Sequence, residues 1–208
     1  MKAAPAPPTA QWCRPADPRW PWRRGGAALV LALIAGTGGA AAEVIEAVSY
    51  KNYPVQPPTG TLREALNSAT PVRRDGQSFH ASTHWNLRWD LRWYEEPGGG
   101  CAVTAATTWL DAEILLPALA AADKETSSRF ARYLKSLRAH EDGHVELGRT
   151  AAHLLQRRLR ELPPAGTCAL LASRAGQLAR EVLDAARRDE LAYDRSTGYG
   201  HSQGAWLP

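Results

Sequence analysis

One five-residue segment has the residue types and the spacing of a metal-dependent hydrolase. His140-Glu141-Asp142-Gly143-His144 matches the pattern H-E-x-x-H. On an α-helix the two histidines lie one turn apart on the same face, so both imidazoles can bind one metal ion. Glu141 can then take a proton from a metal-bound water, whose pKa a Zn²⁺ ion lowers to about 7. The pattern predicts hydrolysis of an amide bond, with His140 and His144 as ligands and Glu141 as general base.

The residues around this motif predict a long helix that turns it toward the interior. Apolar and small residues recur at steps of three and four positions: Phe130, Leu134, Leu137, His144, Gly148, Ala151, Leu155 and Leu159. Thr126, Ser127 and Ser128 offer caps for its start, and Pro163-Pro164 end it. Gly143 costs about 1 kcal/mol relative to alanine inside a helix, which indicates that a bulky group approaches there. The alternative is a charged surface turn that happens to carry histidines.

A catalytic zinc site needs a third protein ligand. The metzincin pattern would place glycine at 147 and histidine at 150, but the chain has Leu147 and Thr150. His153 follows His144 at a spacing that turns it to the opposite side of the helix. The third ligand is therefore expected outside this helix.

A second helix is predicted from about Cys168 to Leu191, with an apolar face formed by Leu171, Leu178, Val182 and Ala185. The turn before it is short, so the two helices are antiparallel neighbours and residues 188–194 come level with His144. The candidates for the third ligand are Asp189, Glu190 and Asp194 at this level and His201 in the tail.

The residues before these helices predict β-structure. Trp85, Leu87, Trp89, Leu91 and Trp93 alternate with polar residues, which is typical of a strand whose aromatic face packs in a core. A Gly-rich turn leads to a second strand over residues 101–116, which Pro117 ends, so the two strands form an antiparallel hairpin. Residues 44–50 predict a short strand, residues 53–60 a Pro-rich loop, and residues 61–69 a short helix. The hairpin edge at 85–93 is a candidate for binding an extended peptide by strand addition, unless residues 44–50 cover it.

Together these elements predict an α+β fold. An N-terminal antiparallel β hairpin or small sheet packs on a C-terminal antiparallel helix pair that carries the H-E-x-x-H motif, as in zincins. Residues 1–42 are predicted to be a leader and residues 43–208 a single zincin-like domain. The domain has a β-rich part over 43–120 and a helical, metal-binding part over 121–208.

The leader has the features of a secretory signal peptide. Arg23-Arg24 precede an apolar stretch over residues 27–35, and the small residues at 38–42 end in Ala-x-Ala, so cleavage is predicted after Ala42. The alternatives are a twin-arginine signal and an uncleaved anchor, for which the apolar stretch is short. We expect a secreted or periplasmic bacterial protein with no integral membrane segment after cleavage.

The charge distribution argues against nucleic-acid binding. The 208-residue chain has a net charge of +4, but the leader alone carries it, with five basic residues and Asp17. Residues 43–208 are neutral overall, so no basic surface for a nucleic-acid backbone is predicted.

The cysteines point to one cross-link. Cys13 falls in the leader, which leaves Cys101 and Cys168. In an exported protein two cysteines favour one disulfide, and two buried free thiols are the alternative.

The chain resembles the DUF922 family of secreted, zinc-dependent bacterial proteases. The resemblance covers roughly residues 45–208 and is carried by the Trp-rich strand pair, Cys101, the H-E-x-x-H segment, Cys168 and the tail from Tyr193 to Ala205. It implies an export signal, a β-rich front half, a helical metal-binding back half and a bridge between the two cysteines.

The tail departs from the family pattern at one position. That pattern often reads Tyr-Asp-x-x-Thr-x-His-Gly, and Tyr199 stands here in place of its histidine, with His201 two residues later. The tail also looks like the aspzincin arrangement, in which an aspartate shortly before Tyr-Gly binds the metal. This likeness favours Asp194 as the third ligand, with His201, Glu190 and Asp189 as alternatives.

The predicted function is that of an exported zinc metallopeptidase, with Zn²⁺ as cofactor and a peptide or protein as substrate. Glu141 is the expected general base, and Tyr199 or Tyr193 the expected hydrogen-bond donor to the developing oxyanion. Two alternatives stay open: a non-catalytic envelope protein with a structural metal site, and a metal-dependent amidase acting on cell-wall peptides. Two histidines with a carboxylate also admit Fe²⁺ or Mn²⁺.

Overall fold

The computed structural model describes residues 43–208. The predicted signal peptide and Cys13 lie outside the described residues. Within them the elements are, in chain order, β1 (Glu43–Val55), α1 (Leu62–Ala69), β2 (Arg73–Arg74), β3 (Gln77–Ser78), β4 (Ser82–Glu95), β5 (Cys101–Leu119), α2 (Lys124–Arg160), α3 (Cys168–Thr197) and a 3₁₀ turn (His201–Gln203). No helix in this part of the chain is long and apolar enough to span a bilayer.

Three of the five strands in the described residues form a sheet in the order β1-β5-β4, and β2 and β3 pair antiparallel as a separate two-stranded sheet. β4 and β5 are the predicted antiparallel hairpin. β1 pairs parallel to β5, so the sheet is mixed and the prediction of an antiparallel sheet holds for the hairpin only. A parallel pair needs a long crossover, which the chain between β1 and β5 supplies. Because β1 lies on the far side of β5, residues 44–50 do not cover the outer edge of β4.

Two strand ends predicted from prolines are wrong. β1 runs through Pro54 to Val55, and β5 runs through Pro117 to Leu119. β1 is an edge strand of this sheet, and the pairing of β4 with β5 stops at Leu115, before Pro117 is reached. Proline has no N–H to donate, and it is tolerated in a sheet at such edges.

The aromatic row of β4 packs on the helices, as predicted. Leu87 and Leu91 belong to a cluster of buried apolar side chains. The partly buried rings of Trp85, Trp89 and Trp93 pack against this cluster. That cluster joins the sheet to both long helices through Leu110, Leu155, Leu159, Leu171, Leu178 and Val182. Burial of each large apolar side chain stabilises the fold by roughly 1.5–3 kcal/mol, and the cluster thereby fixes α2 and α3 on one face of the sheet.

α2 and α3 are the predicted helix pair, with corrected ends. The N-cap of α2 is Asp123, whose carboxylate accepts a hydrogen bond from the Thr126 N–H at 2.9 Å, so the caps predicted at 126–128 are placed too late. α2 ends at Arg160, ahead of Pro163-Pro164. α3 continues beyond the predicted end at residue 191 to Thr197, and Gly198 in the left-handed conformation ends it. Asp194 therefore lies within α3, beyond the predicted end of that helix.

Cys101 and Cys168 form the predicted disulfide, which joins the start of β5 to the start of α3. Their Cα atoms are 5.0 Å apart and the sequence separation is 67. The bond therefore closes a long loop that contains the whole of α2.

Replacing both cysteines by alanine is expected to lower the free energy of unfolding by about 4 kcal/mol, because a cross-link over a long loop restricts the unfolded chain. Urea denaturation of the oxidised protein measures this difference. Wild-type protein in dithiothreitol is the matched control, since it loses the same bond but keeps both sulfur atoms in place. A double variant as stable as the oxidised wild type would contradict the prediction.

Candidate metal centre

The two motif histidines lie on the buried face of α2. His140 is 4% exposed and His144 is 9% exposed, and their ring centroids are 5.0 Å apart. One helical turn separates them, which directs both rings to the same side of the helix. The Nε2 atoms of both rings are directed at the carboxylate of Asp194, on the last turn of α3.

Asp194 completes a group of three donor atoms. Its Oδ1 is 3.0 Å from His144 Nε2 and 3.4 Å from His140 Nε2. One ligand atom from each of the three residues lies within 4.8 Å of the other two, and within the described residues this is the group that could hold a metal ion.

This donor set fits a zinc ion. Zn–N and Zn–O bonds of about 2.0–2.2 Å at tetrahedral angles place neighbouring ligand atoms about 3.4 Å apart. Both distances to Asp194 Oδ1 are close to that value. Two imidazoles and one carboxylate are also a ligand set that catalytic zinc sites use, and three protein ligands leave one position for water or substrate.

Glu141 is held beside these ligands by a residue of the sheet. It is 5% exposed, and its Oε2 accepts a hydrogen bond from Thr83 Oγ1 at 2.7 Å. Thr83 lies on β4, so this strand and α2, which carries the two histidines, fix the carboxylate together. Both Thr83 and Glu141 line the cleft that contains the two histidines.

The charges of the site depend on one another. Burial raises the pKa of Asp194, but hydrogen bonds from His140 and His144 and their positive charges outweigh burial and hold that pKa below its usual range. Burial lowers the pKa of His144, but hydrogen bonds to Asp194 and Glu190 outweigh it and raise the pKa to about 9. Burial raises the pKa of Glu141, against the hydrogen bond from Thr83. Asp194 is therefore the ionised carboxylate of the site, and Glu141 the one with the higher proton affinity.

The other candidate ligands lie outside the group of three. Glu190 accepts a hydrogen bond from Trp85 Nε1 at 2.7 Å, and its Oε1 is 3.7 Å from His144 Nδ1, the ring nitrogen that does not face Asp194. Asp189 and His153 are exposed. His201 is exposed as well, and its ring contacts Trp206 with centroids 5.6 Å apart.

The group formed by His140, His144 and Asp194 opens into a cleft of about 580 Å³. Side chains of α2, α3, β4, α1 and the tail line it, among them Glu141, Arg63, His80, Tyr199 and Trp206. A concave site with convergent polar groups on its lining is the usual form of a small-molecule or peptide site.

Comparison with known proteins gives the family. Residues 50–202 match the model of a family described as "Bacterial protein of unknown function (DUF922)". The chain belongs to the DUF922 family. No curated protein matches the chain, and no solved structure does. The match confirms the family part of the resemblance, and the family description assigns no activity.

In this DUF922 chain Tyr193 is the bulky group predicted to approach Gly143. A Cβ at Gly143 would lie 2.1 Å from the Tyr193 hydroxyl oxygen, so only glycine fits there. The Tyr193 ring stacks on His140, with centroids 5.0 Å apart and planes 10° apart, and its hydroxyl donates to the His140 carbonyl at 3.1 Å. The hydroxyl hydrogen of Tyr193 is therefore already donated, whereas the Tyr199 hydroxyl makes no hydrogen bond within the described residues.

Gln203 is a site residue that the sequence analysis missed. Its Oε1 accepts a hydrogen bond from His140 Nδ1 at 2.9 Å, and its Nε2 donates to the Tyr193 hydroxyl at 3.0 Å. A proton held on Nδ1 leaves the Nε2 lone pair of His140 for a metal ion. The signal that could have found Gln203 is the tail itself, with glycines at 198, 200 and 204 around it.

Replacing Gln203 by alanine is expected to weaken zinc binding by about 10- to 100-fold, because a partner that orients a histidine ligand contributes by that amount. Chelator competition on the purified protein measures the zinc affinity. Ser202→Ala is the matched control, since Ser202 is exposed and donates to the Thr197 carbonyl, away from the histidines. Equal affinity of the Gln203 variant and the wild type would contradict a positioning role.

Tyr199 forms part of the cleft wall. It is 52% exposed, adopts a positive φ of 53°, and its ring lies 5.3 Å from that of Phe79. A non-glycine residue seldom adopts this conformation, and such residues concentrate at functional sites.

His80, also on the cleft wall, gives the fold a dependence on pH. Its Nδ1 accepts from the Tyr133 hydroxyl at 2.6 Å, and its Nε2–H donates to Asn67 Oδ1 at 2.8 Å, so the neutral ring satisfies both partners. Burial, and after it the charge of Arg63, lowers the pKa of His80 to about 4. The hydroxyl of Tyr53 also reaches the His80 carbonyl at 2.8 Å.

Stability is therefore expected to fall between about pH 6.5 and pH 4, because the unfolded chain takes up a proton there that the folded ring refuses. His80→Gln should lose less stability than the wild type over that interval, by about 1–2 kcal/mol after allowance for partial exposure. Urea denaturation with a chelator present, at both ends of the interval, measures the difference. Parallel pH profiles of the two proteins would contradict it.

Proposed function

We propose that the protein is an exported zinc-dependent peptidase of the zincin type. The observation that carries this proposal is the convergence of His140, His144 and Asp194 beside the buried Glu141 in an open cleft. These three residues would hold the zinc ion. The proposed place of action is the periplasm or the medium, in line with the Ala-x-Ala leader.

Each residue of the site has a defined role in this proposal. A bound Zn²⁺ ion would supply a Lewis acid that polarises the peptide carbonyl and acidifies water. Glu141 takes the proton of the attacking water and gives it to the leaving amine, and its raised pKa favours the first of these transfers. Thr83 holds the Glu141 carboxylate toward the reacting atoms, and Tyr199 donates to the developing oxyanion.

The cleft favours a catalytic site over the structural alternative. A structural zinc ion takes four protein ligands, whereas the group within the described residues has three members and lines open space. Peptide hydrolysis and amide hydrolysis of cell-wall peptides use the same chemistry, so the two are separated by substrate and not by geometry.

Elemental analysis of the purified protein tests the proposal, with His140→Ala as its paired variant. We expect about one zinc ion per chain in the wild type and a much lower content in the variant. Incubation of metal-loaded protein with casein and with purified peptidoglycan then identifies the class of peptide. Absence of metal, or metal-loaded protein that cleaves neither material, would refute the peptidase.

A further inference from the structure

Two arginines line the cleft from elements that carry no metal ligand. Arg63 comes from α1 and Arg74 from β2. The acidic residues of the cleft lining are Glu141, Glu190 and Asp194, and all three stand at the histidines. Arg63 and Arg74 therefore belong to a different wall of the cleft from these three carboxylates.

These two guanidinium groups have no anionic partner among the described residues. Arg187, which lines the same cleft, pairs with Asp184 at 3.2 Å, and Arg73, the neighbour of Arg74 in sequence, donates to the Asn67 carbonyl at 2.8 Å. Unlike these nearby arginines, Arg63 and Arg74 keep guanidinium N–H groups that can donate to a ligand.

Each of the two arginines lies instead over an aromatic ring. The Cζ of Arg63 is 5.7 Å from the centroid of Trp206, and that of Arg74 is 5.8 Å from the centroid of Phe79. Contact with a ring face orients a planar guanidinium without using its in-plane N–H donors. The charge of Arg63 also acts inside the cleft, because it helps to lower the pKa of His80.

Exposed apolar side chains surround the same cleft. Leu191, Tyr199 and Trp206 are 58%, 52% and 51% exposed, and all three line it. Large apolar groups that stay exposed around a concave site mark a surface for a ligand with apolar parts. A peptide supplies such parts together with charged ends or side chains.

We propose that the cleft selects peptides that carry a carboxylate, which Arg63 and Arg74 bind while the scissile bond lies at the metal centre. The proposal rests on the peptidase function proposed above. A guanidinium fork matches the two oxygens of a carboxylate and gives short, charge-assisted hydrogen bonds. In a peptide this carboxylate belongs either to an acidic side chain or to a free C terminus.

Binding of peptide hydroxamates to the zinc-loaded full-length protein tests this without turnover. The hydroxamate group of each probe chelates the metal ion. Acetohydroxamate has no peptide part, so its affinity measures binding to the metal site alone. One series carries glutamate or glutamine next to the chelating group, on either side of it, and a second series ends in a free carboxylate or an amide. Isothermal titration calorimetry gives the affinities for the wild type, the double variant Arg63→Gln/Arg74→Gln and the control Arg73→Gln.

We expect the carboxylate form of at least one series to bind about tenfold more tightly than its neutral partner, since a charge-assisted hydrogen bond contributes on that order. The preference should disappear in the double variant, remain in Arg73→Gln and weaken as the salt concentration rises. The series that shows it identifies the side chain or the C terminus as the source. Tight binding of acetohydroxamate with no carboxylate preference in any series overturns this inference and leaves the peptidase standing. No binding of acetohydroxamate by protein that contains zinc overturns both.

Discussion

Replacing Glu141 by glutamine is expected to reduce peptide turnover by about a thousandfold, the usual contribution of a positioned general base. The zinc content should stay that of the wild type, because Glu141 is not among the three residues that converge as ligands. Turnover of the substrate found with casein or peptidoglycan, measured together with elemental analysis, separates the two effects.

The structure indicates that Glu141→Gln removes the proton acceptor without disturbing the packing around it. Glu141 is buried and accepts its hydrogen bond from Thr83 through Oε2. A glutamine keeps an oxygen that can accept the same bond and has nearly the same shape, so the packing of α2 against β4 is retained. What is lost is the carboxylate that takes up a proton.

Thr83→Val is the companion variant. It keeps the shape of the Thr83 side chain and removes the hydroxyl that orients Glu141, so turnover should fall by a smaller factor, about tenfold. The pKa of Glu141 should rise, because the hydrogen bond from Thr83 lowers it.

Full activity of Glu141→Gln would refute Glu141 as general base. Loss of zinc from that variant would mean that Glu141 is a ligand.

The parts of the site that could be predicted from the sequence are those that depend on helical periodicity. The stripe that runs from Phe130 to Leu159 predicts α2, and the two histidines then fall on its buried face. The short turn at Pro163-Pro164 makes α3 antiparallel, and a count of residues along both helices brings Asp194 level with His144. This count alone leaves Asp189 and Glu190 open beside Asp194, and only the likeness of the tail to the aspzincin arrangement favours Asp194 among them.

The pairing of β1 could not be predicted in the same way. The residue types at positions 44–50 indicate a strand, but they do not specify which neighbour it pairs with or in which direction. The crossover between β1 and β5 contains α1 and the β4 strand, and its path depends on packing between Leu66, Val55 and Ile114, which are distant in sequence.

Gln203 was beyond prediction for a related reason. It reaches His140 because the chain reverses after α3 through positive φ at Gly198, Tyr199 and Gly200. A Cβ at Gly200 would lie 3.0 Å from His140 Cγ, so the glycine lets the tail pass against the His140 ring. The glycines indicate a turn, but only the folded chain shows which side chain the turn delivers.

The largest expected effect on metal binding belongs to Asp194. Replacing it by alanine removes the oxygen that lies 3.0 Å and 3.4 Å from the two histidine nitrogens. We expect zinc affinity to fall by more than about 100-fold, since the loss of a mere orienting partner already costs 10- to 100-fold. Chelator competition measures it, and circular dichroism of both proteins shows whether the fold is kept.

The rival ligands provide the controls for this variant. Asp189→Ala and His201→Ala change exposed residues outside the donor group, and zinc affinity should stay within about threefold of the wild type, as for other exposed substitutions. Glu190→Gln retains an oxygen for Trp85 Nε1 and removes a charge beside His144 Nδ1, so it should weaken binding by about tenfold, as an orienting partner does.

The order of these effects decides the ligand set. Asp194 faces both Nε2 atoms, whereas Glu190 faces only the opposite nitrogen of one ring. An oxygen that faces the metal-binding nitrogens of both rings, as Asp194 Oδ1 does, is placed to bind the same ion as the rings. An oxygen that faces the other nitrogen of one ring, as Glu190 Oε1 does, is placed to orient that ring. A Glu190 variant that loses more zinc affinity than Asp194→Ala would reverse the two roles, and a His201 variant that does so would move the third ligand from α3 to the tail.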